Sequence, residues 1–488
     1  MTKRVFLILF IPCLFSILVG HRFASALPAF PGAEGFGSDT IGGRGGLVFE
    51  VTNLNDSGPG SLRAAIEASG PRIVVFRTGG TITLSSNLTI SNPYITVAGQ
   101  TAPGGGITIK SGEISVETHD VVIRYITSRR GPGGANHAFF IGDNGSSNVY
   151  NIIVDHCSFS WGTDETVSSW YAPHDYTISY SIISEGLNCS THEKGCHSKG
   201  AMMGGYKFKE SEPVGCGAKN HSFHHNLLAH HGSRGPLIKT SGLADVVNNV
   251  IYNIVGTMSQ VDMQSTCGEI PVNYVGNYFK NGPNTISGKY EIAAIETGGN
   301  ESAIYVQGNI GPHRTSDSQP ETYLVKADSL SYIVKTPNSV AMPVNATSAT
   351  TAYSELMDNG GVGNSKYVDC FGHWINRRDD HDIRIIYDVQ SGTAFNGASG
   401  NIIDNPSDVG GWLNIETGSA CLDSDHDGMP DVWENFYNFN PSSSSDSSQD
   451  LDNDGYTNIE EYLNGTNPKY AGYPSKIPAP PTGLRILE

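Results

Sequence analysis

The sequence predicts an all-β chain wound as a right-handed parallel β-helix, with a short N-terminal capping helix and a small C-terminal calcium-binding loop region. The first observation is a recurring theme between about residues 88 and 311: an apolar-alternating strand, a small polar residue, then two apolar residues. It appears as VVIRYITS at 121, IIVDHCSFS at 152, YTISYSIIS at 176, HSFHHNLLAHH at 221, DVVNNVIYN at 245, VNYVGNYF at 272 and AIYVQGNI at 303. The second is the spacing. Aligned on Cys157, Ser181, Asn226, Asn249, Asn277 and Asn309, the units step by 24, 45, 23, 28 and 32 residues, so one step is close to twice another. A period in the twenties with strand-length units suits stacked coils, each pairing with those above and below. Asn at the same turn of successive coils can stack its side-chain amides. An antiparallel sandwich also has many short strands, but it gives no reason for Asn to recur at one turn between loops of such unequal length. The third is composition: 58 glycines and only 16% charged residues suit a chain with many turns.

Taken from the N-terminus, residues 1–26 read as a secretory signal: Lys3 and Arg4 precede an apolar run, and Ala24-Ser25-Ala26 offers a small-x-small cleavage site. The run is short for a spanning helix, and no later segment is apolar enough to span. Cleavage removes three cations and takes the formal charge from -18 to -21. Such a charge excludes nucleic acid and anionic membranes as partners. It also means that any site for a polyanion must carry its own local cations. Cys157, Cys189, Cys196, Cys216, Cys267, Cys370 and Cys421 remain. Outside the cell, disulfides are expected among Cys189, Cys196 and Cys216, and the odd count leaves one thiol unpaired.

The β-helix domain is expected over 27–412. Near its start, VTNLNDSGPGSLRAAIEASGPRIVVF (51–76) places Ser61 as N-cap of a short helix that covers the open end of the first coil.

Residues 413–470 hold two acidic loops. DSDHDGMPDVWE supplies Asp423, Asp425, Asp427, Asp431 and Glu434 around Gly428; DLDNDGYTNIEE supplies Asp450, Asp452, Asp454, Asn458 and Glu461 around Gly455. Oxygen ligands fall at positions 1, 3, 5, 9 and 12, with Gly at 6 for the sharp turn, as in calcium loops. Pro430 departs from the usual apolar residue, and no entering helix is evident. The pair resembles that of a dockerin or a secreted spacer module, which implies a possible protein partner. The Ser-rich PSSSSDSSQD between the loops and the Pro-rich tail, 471–488, read as flexible spacer.

The candidate chemistry lies in HHGSRGPLIKT (230–240), where Arg234 precedes Lys239 by five residues. Equivalent residues on neighbouring coils stand about 4.8 Å apart. Lys199 of HSKGAMMGG can therefore join them, beside Asp164 and Glu165 of FSWGTDETVSS. From spacing alone the group could equally be a surface ion-pair network. His192, His197, His221, His224, His225, His230 and His231 raise the possibility of zinc. The HEKGCH spacing misses the metalloprotease helix pattern, however, and stacked or cleft-lining histidines are expected instead.

PGAEGFG, GGRGG, VTNLNDSGPGSLR, ITVAGQTAPG and VDHCSFSWGTDE together resemble the extracellular pectate lyases of polysaccharide lyase family 1, over roughly residues 30 to 320. The resemblance implies a secreted, monomeric enzyme whose β-helix cleft binds polygalacturonate, an acidic plant cell-wall polysaccharide. It implies calcium-assisted β-elimination giving unsaturated oligogalacturonates. Arg234-Gly-Pro236 matches the family's Arg-x-Pro motif, so Arg234 is the base by resemblance, and Lys199 and Lys239 are the substrate-carboxylate binders. An arginine base implies an alkaline optimum, because arginine is ordinarily protonated. Cleft calcium would fall to Asp164 and Glu165. The match departs from the family at Ser168, and at Asn136 and His137, where acids are usual; Asp155 is read as structural. Two alternatives stand beside this reading: a non-catalytic uronan-binding or adhesive β-helix, and a lyase acting on methylated pectin or another uronan.

Overall fold

The computed structural model describes residues 27–143, 148–205, 218–263, 269–295, 302–338, 344–398 and 400–471. The expected signal segment, the Pro-rich tail beyond Tyr470-Ala471, Cys216 and Cys267 lie outside them. Three long sheets run along the molecule, of eleven, eight and eight strands. Except at the two ends of the eleven-stranded sheet, neighbouring strands of a sheet are three strands apart in the chain, so each coil contributes one strand to each sheet. Every pairing within the three is parallel; among the described residues the antiparallel pair is Lys366–Val368 with Trp374–Asn376, outside the coil. The parallel β-helix expected from the sequence is therefore the observed fold.

Alternation places the core. Along the eleven-stranded sheet, Val154, Ile178, Phe223, Val246 and Tyr274 stand opposite one another on successive coils. All five point into one continuous apolar cluster that fills the coil. Burial of such columns supplies the main driving force for the fold.

The repeated Asn forms the inner turn. The Asn226 backbone N–H donates to Asn249 Oδ1 at 2.9 Å, Asn249 N–H to Asn277 Oδ1 at 2.9 Å, and Asn277 N–H to Asn309 Oδ1 at 2.9 Å. Each side-chain amide also donates onward, Asn226 to Asn249 at 3.1 Å and Asn249 to Asn277 at 3.0 Å. These four residues are fully buried, and the ladder satisfies polar groups that would otherwise be orphaned. Ser181 and Cys157 begin the series: Cys157 N–H donates to Ser181 Oγ and Ser181 N–H to Asn226 Oδ1.

Ser61 caps the helix Leu62–Glu67, its side chain accepting from the Ala64 N–H, and Leu62, Ala65 and Ile66 close the end of the core. Buried Arg72 then donates to the carbonyls of Ala65 at 3.0 Å and Ile66 at 2.6 Å, serving the C-terminal end of the helix that has no further turn to pair with. Cys189 and Cys196 are bonded, as are Cys370 and Cys421, while Cys157 is a buried free thiol.

Residues 413–470 do not stand apart. Met429, Trp433, Tyr437, Ile459, Tyr462 and Leu463 pack with Ile73, Val75 and Ala98 of the first coils in one buried cluster. The Ser-rich run read as flexible spacer is held in turns, with Asn458 N–H donating to Gln449 O at 2.7 Å and Ile459 N–H to Ser447 O at 3.1 Å.

Candidate active site

One eight-stranded sheet carries the cations and carboxylates singled out in the sequence. Phe139–Ile141, Glu165–Ser169, Lys199–Gly204, Leu237–Lys239 and Ser259–Asp262 lie side by side on it. Register does the positioning: Glu165 pairs with Lys199, Lys199 bridges to Ser233, and Gly204 pairs with Lys239. Gly200 and Gly204 are required there. A Cβ at Gly200 would run into the Arg234 carbonyl, and one at Gly204 into that of Lys239.

The sheet floors a cleft of about 420 Å³ lined by His137, Asp164, Glu165, Lys194, His197, Arg234, Lys239 and Asp262, with Phe140, Trp170 and Tyr171 on its apolar walls. Arg234 sits at the turn before its strand in the left-handed region, φ 65°, followed by a cis Gly235-Pro236 bond. Its guanidinium contacts the Glu165 carboxylate. Burial draws the Arg234 pKa below the usual arginine range, with Asp164 and Asp262 opposing. Burial likewise lowers the Lys199 ammonium, against the pull of Asp164. Lys199 is not among the residues that line the cleft; it stands beside Glu165 on the next strand and donates to Ser233 Oγ at 3.1 Å.

Lys239 lines the cleft but is buried, and its ammonium donates to Asp262 at 2.8 Å. The sequence reading did not anticipate this partner from the next coil. Lys194, on the loop closed by Cys189 and Cys196, was also missed; nothing in a loop sequence marks which lysine will overhang a groove.

Asp164 has three imidazoles near it. His197 Nε2 is 3.0 Å and His192 Nε2 3.5 Å from its carboxylate, and the two rings stack at 4.1 Å. Burial works against ionising Asp164, but His137, His197, His192 and Arg234 outweigh it and hold the carboxyl below its ordinary value. His192 Nδ1 accepts the Lys194 N–H at 3.0 Å, which leaves the ring proton on Nε2, facing Asp164. His137 Nδ1 is fixed by Glu113 at 2.9 Å, and its Nε2 faces Glu165 at 3.3 Å. Asn136 is turned toward its own loop, and its carbonyl accepts the Thr163 and Asp164 N–H groups. The other histidines stack along the coil, as His156 does on Tyr180 and His225 on Tyr180, or pack on Tyr176 as His221 does. Asp155 lies on the eleven-stranded sheet, bound to Arg124 at 2.9 Å, His156 at 2.8 Å and Ser179 at 2.9 Å.

As a metal site, the cleft offers the Asp164 and Glu165 carboxylates and the His137 imidazole, with ligand atoms within 4.8 Å of one another. The Ser168 hydroxyl is buried without a hydrogen-bond partner, and Asp164 Oδ1 faces His197 Nε2 at 3.0 Å. These oxygens fit a hard cation whose remaining ligands come from substrate and water.

No family model matches the chain. It is 35% identical to a probable pectate lyase C of Aspergillus flavus over 465 residues, covering 94% of this chain and 98% of that protein. The chain belongs to the pectate lyases. A probable pectate lyase C of Emericella nidulans is 33% identical over 474 residues, covering 95% of this lyase and 98% of the relative. Among solved structures, the major allergen from cedar pollen superposes on the lyase with a TM-score of 0.49 at 18% identity, over 68% of this chain and 92% of that one. A Bacillus pectate lyase in complex with trigalacturonate gives 0.47 at 17% identity, over 68% and 98%.

In the C-terminal region, both loop glycines take positive φ, 89° at Gly428 and 101° at Gly455, as the turn requires. The helices Asp431–Tyr437 and Asn458–Asn464 follow the loops. Asp431 accepts from Ser424 N–H and Oγ, both at 2.7 Å, whereas Asp446 of the Ser-rich run joins Asp427 and Glu434. Among the described residues no helix is long and apolar enough to cross a membrane.

Proposed function

We propose that this pectate lyase cleaves polygalacturonate by calcium-assisted β-elimination, outside the cell, with Arg234 as the base. The observation that carries the reading is the convergence of Arg234, Asp164 and Glu165 in one cleft, with Lys199 beside Glu165 on the next strand. Elimination removes the proton from carbon 5 of a uronate, alpha to its carboxylate, forms the carbon 4 to carbon 5 double bond and expels the glycosidic oxygen from carbon 4. The neutral Arg234 takes that proton. Burial favours its neutral form, so the active fraction grows as pH rises. Lys199 and Lys194 supply positive charge to substrate carboxylates, which the acidic surface otherwise repels. Lys239, tied to Asp262, offers the substrate a cation only at the cost of that pair. Trp170 and Tyr171 give sugar rings apolar faces to lie on. Asp164 and Glu165 would hold calcium, which would neutralise the carboxylate beside the acidic carbon. The loops at 423–434 and 450–461 are further calcium sites.

Incubation with polygalacturonate, followed by ultraviolet absorbance and reducing-end assay, tests the reading. Absorbance from a conjugated double bond, abolished by chelator, is the expected result. New reducing ends without absorbance would mean hydrolysis, and binding without either would mean an adhesive β-helix. Activity that survives chelation and is best on esterified polymer would move the substrate to methylated pectin.

A further inference from the structure

We propose that the two acidic loops form a paired calcium clasp fastening the tail to the first coils of the β-helix, in which Asp446, not Asp431, completes the first site. The inference rests on the calcium-loop reading above and adds a ligand and a role to it.

The first observation is an oxygen cluster with nothing to satisfy it. Asp423, Asp425 and Asp427 converge within 4.8 Å, and so do Asp427, Glu434 and Asp446. Glu434 is fully buried, yet both its carboxylate oxygens are without a hydrogen-bond partner. Both Asp425 oxygens, Asp427 Oδ2 and Asp446 Oδ1 share that condition. Native proteins do not leave so many buried acceptors unpaired unless a cation fills the site. A ligand set made only of carboxylate oxygens suits calcium rather than a transition ion.

The ligand exchange follows from Asp431. Both its oxygens are taken by Ser424, which shapes the loop from outside. Asp446 reaches in from the Ser-rich run instead. Its carbonyl accepts from Asn458 Nδ2 at 2.8 Å, and Asn458 Oδ1 is buried and unpartnered beside the second loop, where Asp450 Oδ1, Asp452 Oδ2 and Glu461 Oε2 are likewise unpartnered. One residue thus links the two sites, so filling the second steadies a ligand of the first.

The role follows from what the loops hold. Arg77 pairs with Asp423 at 3.5 Å and Arg44 with Glu460 at 2.8 Å, tying each loop to the first coils. The inward faces of both helices are buried on Ile73 and Val75. A module built to capture a partner would leave those faces open.

Calcium titration calorimetry and thermal unfolding of the full chain test this, in an Asp164→Asn background that removes cleft calcium. The background protein is expected to bind two ions and to unfold at higher temperature with calcium than with chelator. Adding Asp446→Asn should weaken one of the two ions by more than about tenfold. It should also shrink the calcium-dependent rise in Tm, while leaving Tm in chelator unchanged or raised because repulsion is relieved. That last arm shows that the variant folds. Asp431→Asn should keep both ions. Two tight ions in Asp446→Asn, or loss of one in Asp431→Asn, would overturn the ligand assignment. Two ions with no effect on Tm would overturn the clasp. No calcium bound at all would overturn the loop reading itself.

Discussion

Asp245 shows how a single buried group couples the coil to pH. It lies fully buried on the eleven-stranded sheet; Asn273 donates to one oxygen at 2.7 Å, and the other has no partner. Burial raises its pKa to about 6, the Asn273 bond only partly opposing. The folded state therefore holds this proton more tightly than the unfolded chain does. The stability it contributes is complete below the unfolded value near 4 and is lost as pH rises through about 6. Asp245→Asn should accordingly raise stability by about 3 kcal/mol at pH 8 and have little effect at pH 4, read from denaturant midpoints. A stabilisation equal at both pH values would show that ionisation is not the cause. At the same scale, the pairing of Lys239 with Asp262 was not legible, because the partner arrives from another coil and no local spacing announces it. The meeting of Arg234 with Asp164 and Glu165 in one cleft, by contrast, was expected from the stacking of coils.

At the scale of elements, the inner turn was the most legible part of the sequence. Recurrence of Asn at one point of the repeat has a direct physical cause: each amide serves the next coil's backbone and side chain at once. Asn249 both accepts from Asn226 and donates to Phe223 O and Asn277. Asn249→Ala leaves those buried groups unsatisfied, and a loss of about 2 to 4 kcal/mol is expected from chemical denaturation. A loss under about 0.5 kcal/mol would mean that water replaces the ladder without cost. The acidic loops were legible as loops, since Gly at position 6 is a local requirement. Asp446 was not: it sits in a Ser-rich run whose composition reads as spacer, and only the folded path brings it to Glu434.

Across the whole molecule, the parallel coil was foreseen, while the docking of the tail was not. Trp433 is buried on residues more than 350 positions earlier in the chain, and the hydrophobic pattern of a seven-residue helix carries no sign of which surface it will cover. The tail and the coil should consequently unfold together. Trp433→Ala should lower stability by about 3 to 5 kcal/mol and leave one calorimetric transition. A separate low-temperature transition with the main one unmoved would describe an independent module instead.

The central claim is that Arg234 removes the proton in this cleft, and the most direct measurement is the rate of absorbance gain on polygalacturonate against pH for the native protein and for Arg234→Lys, at saturating calcium. The native rate should climb toward alkaline pH, and the variant should fall about 100- to 10,000-fold below it across the range. A variant that matches the native rate, or a native profile flat from acid to alkali, would contradict it.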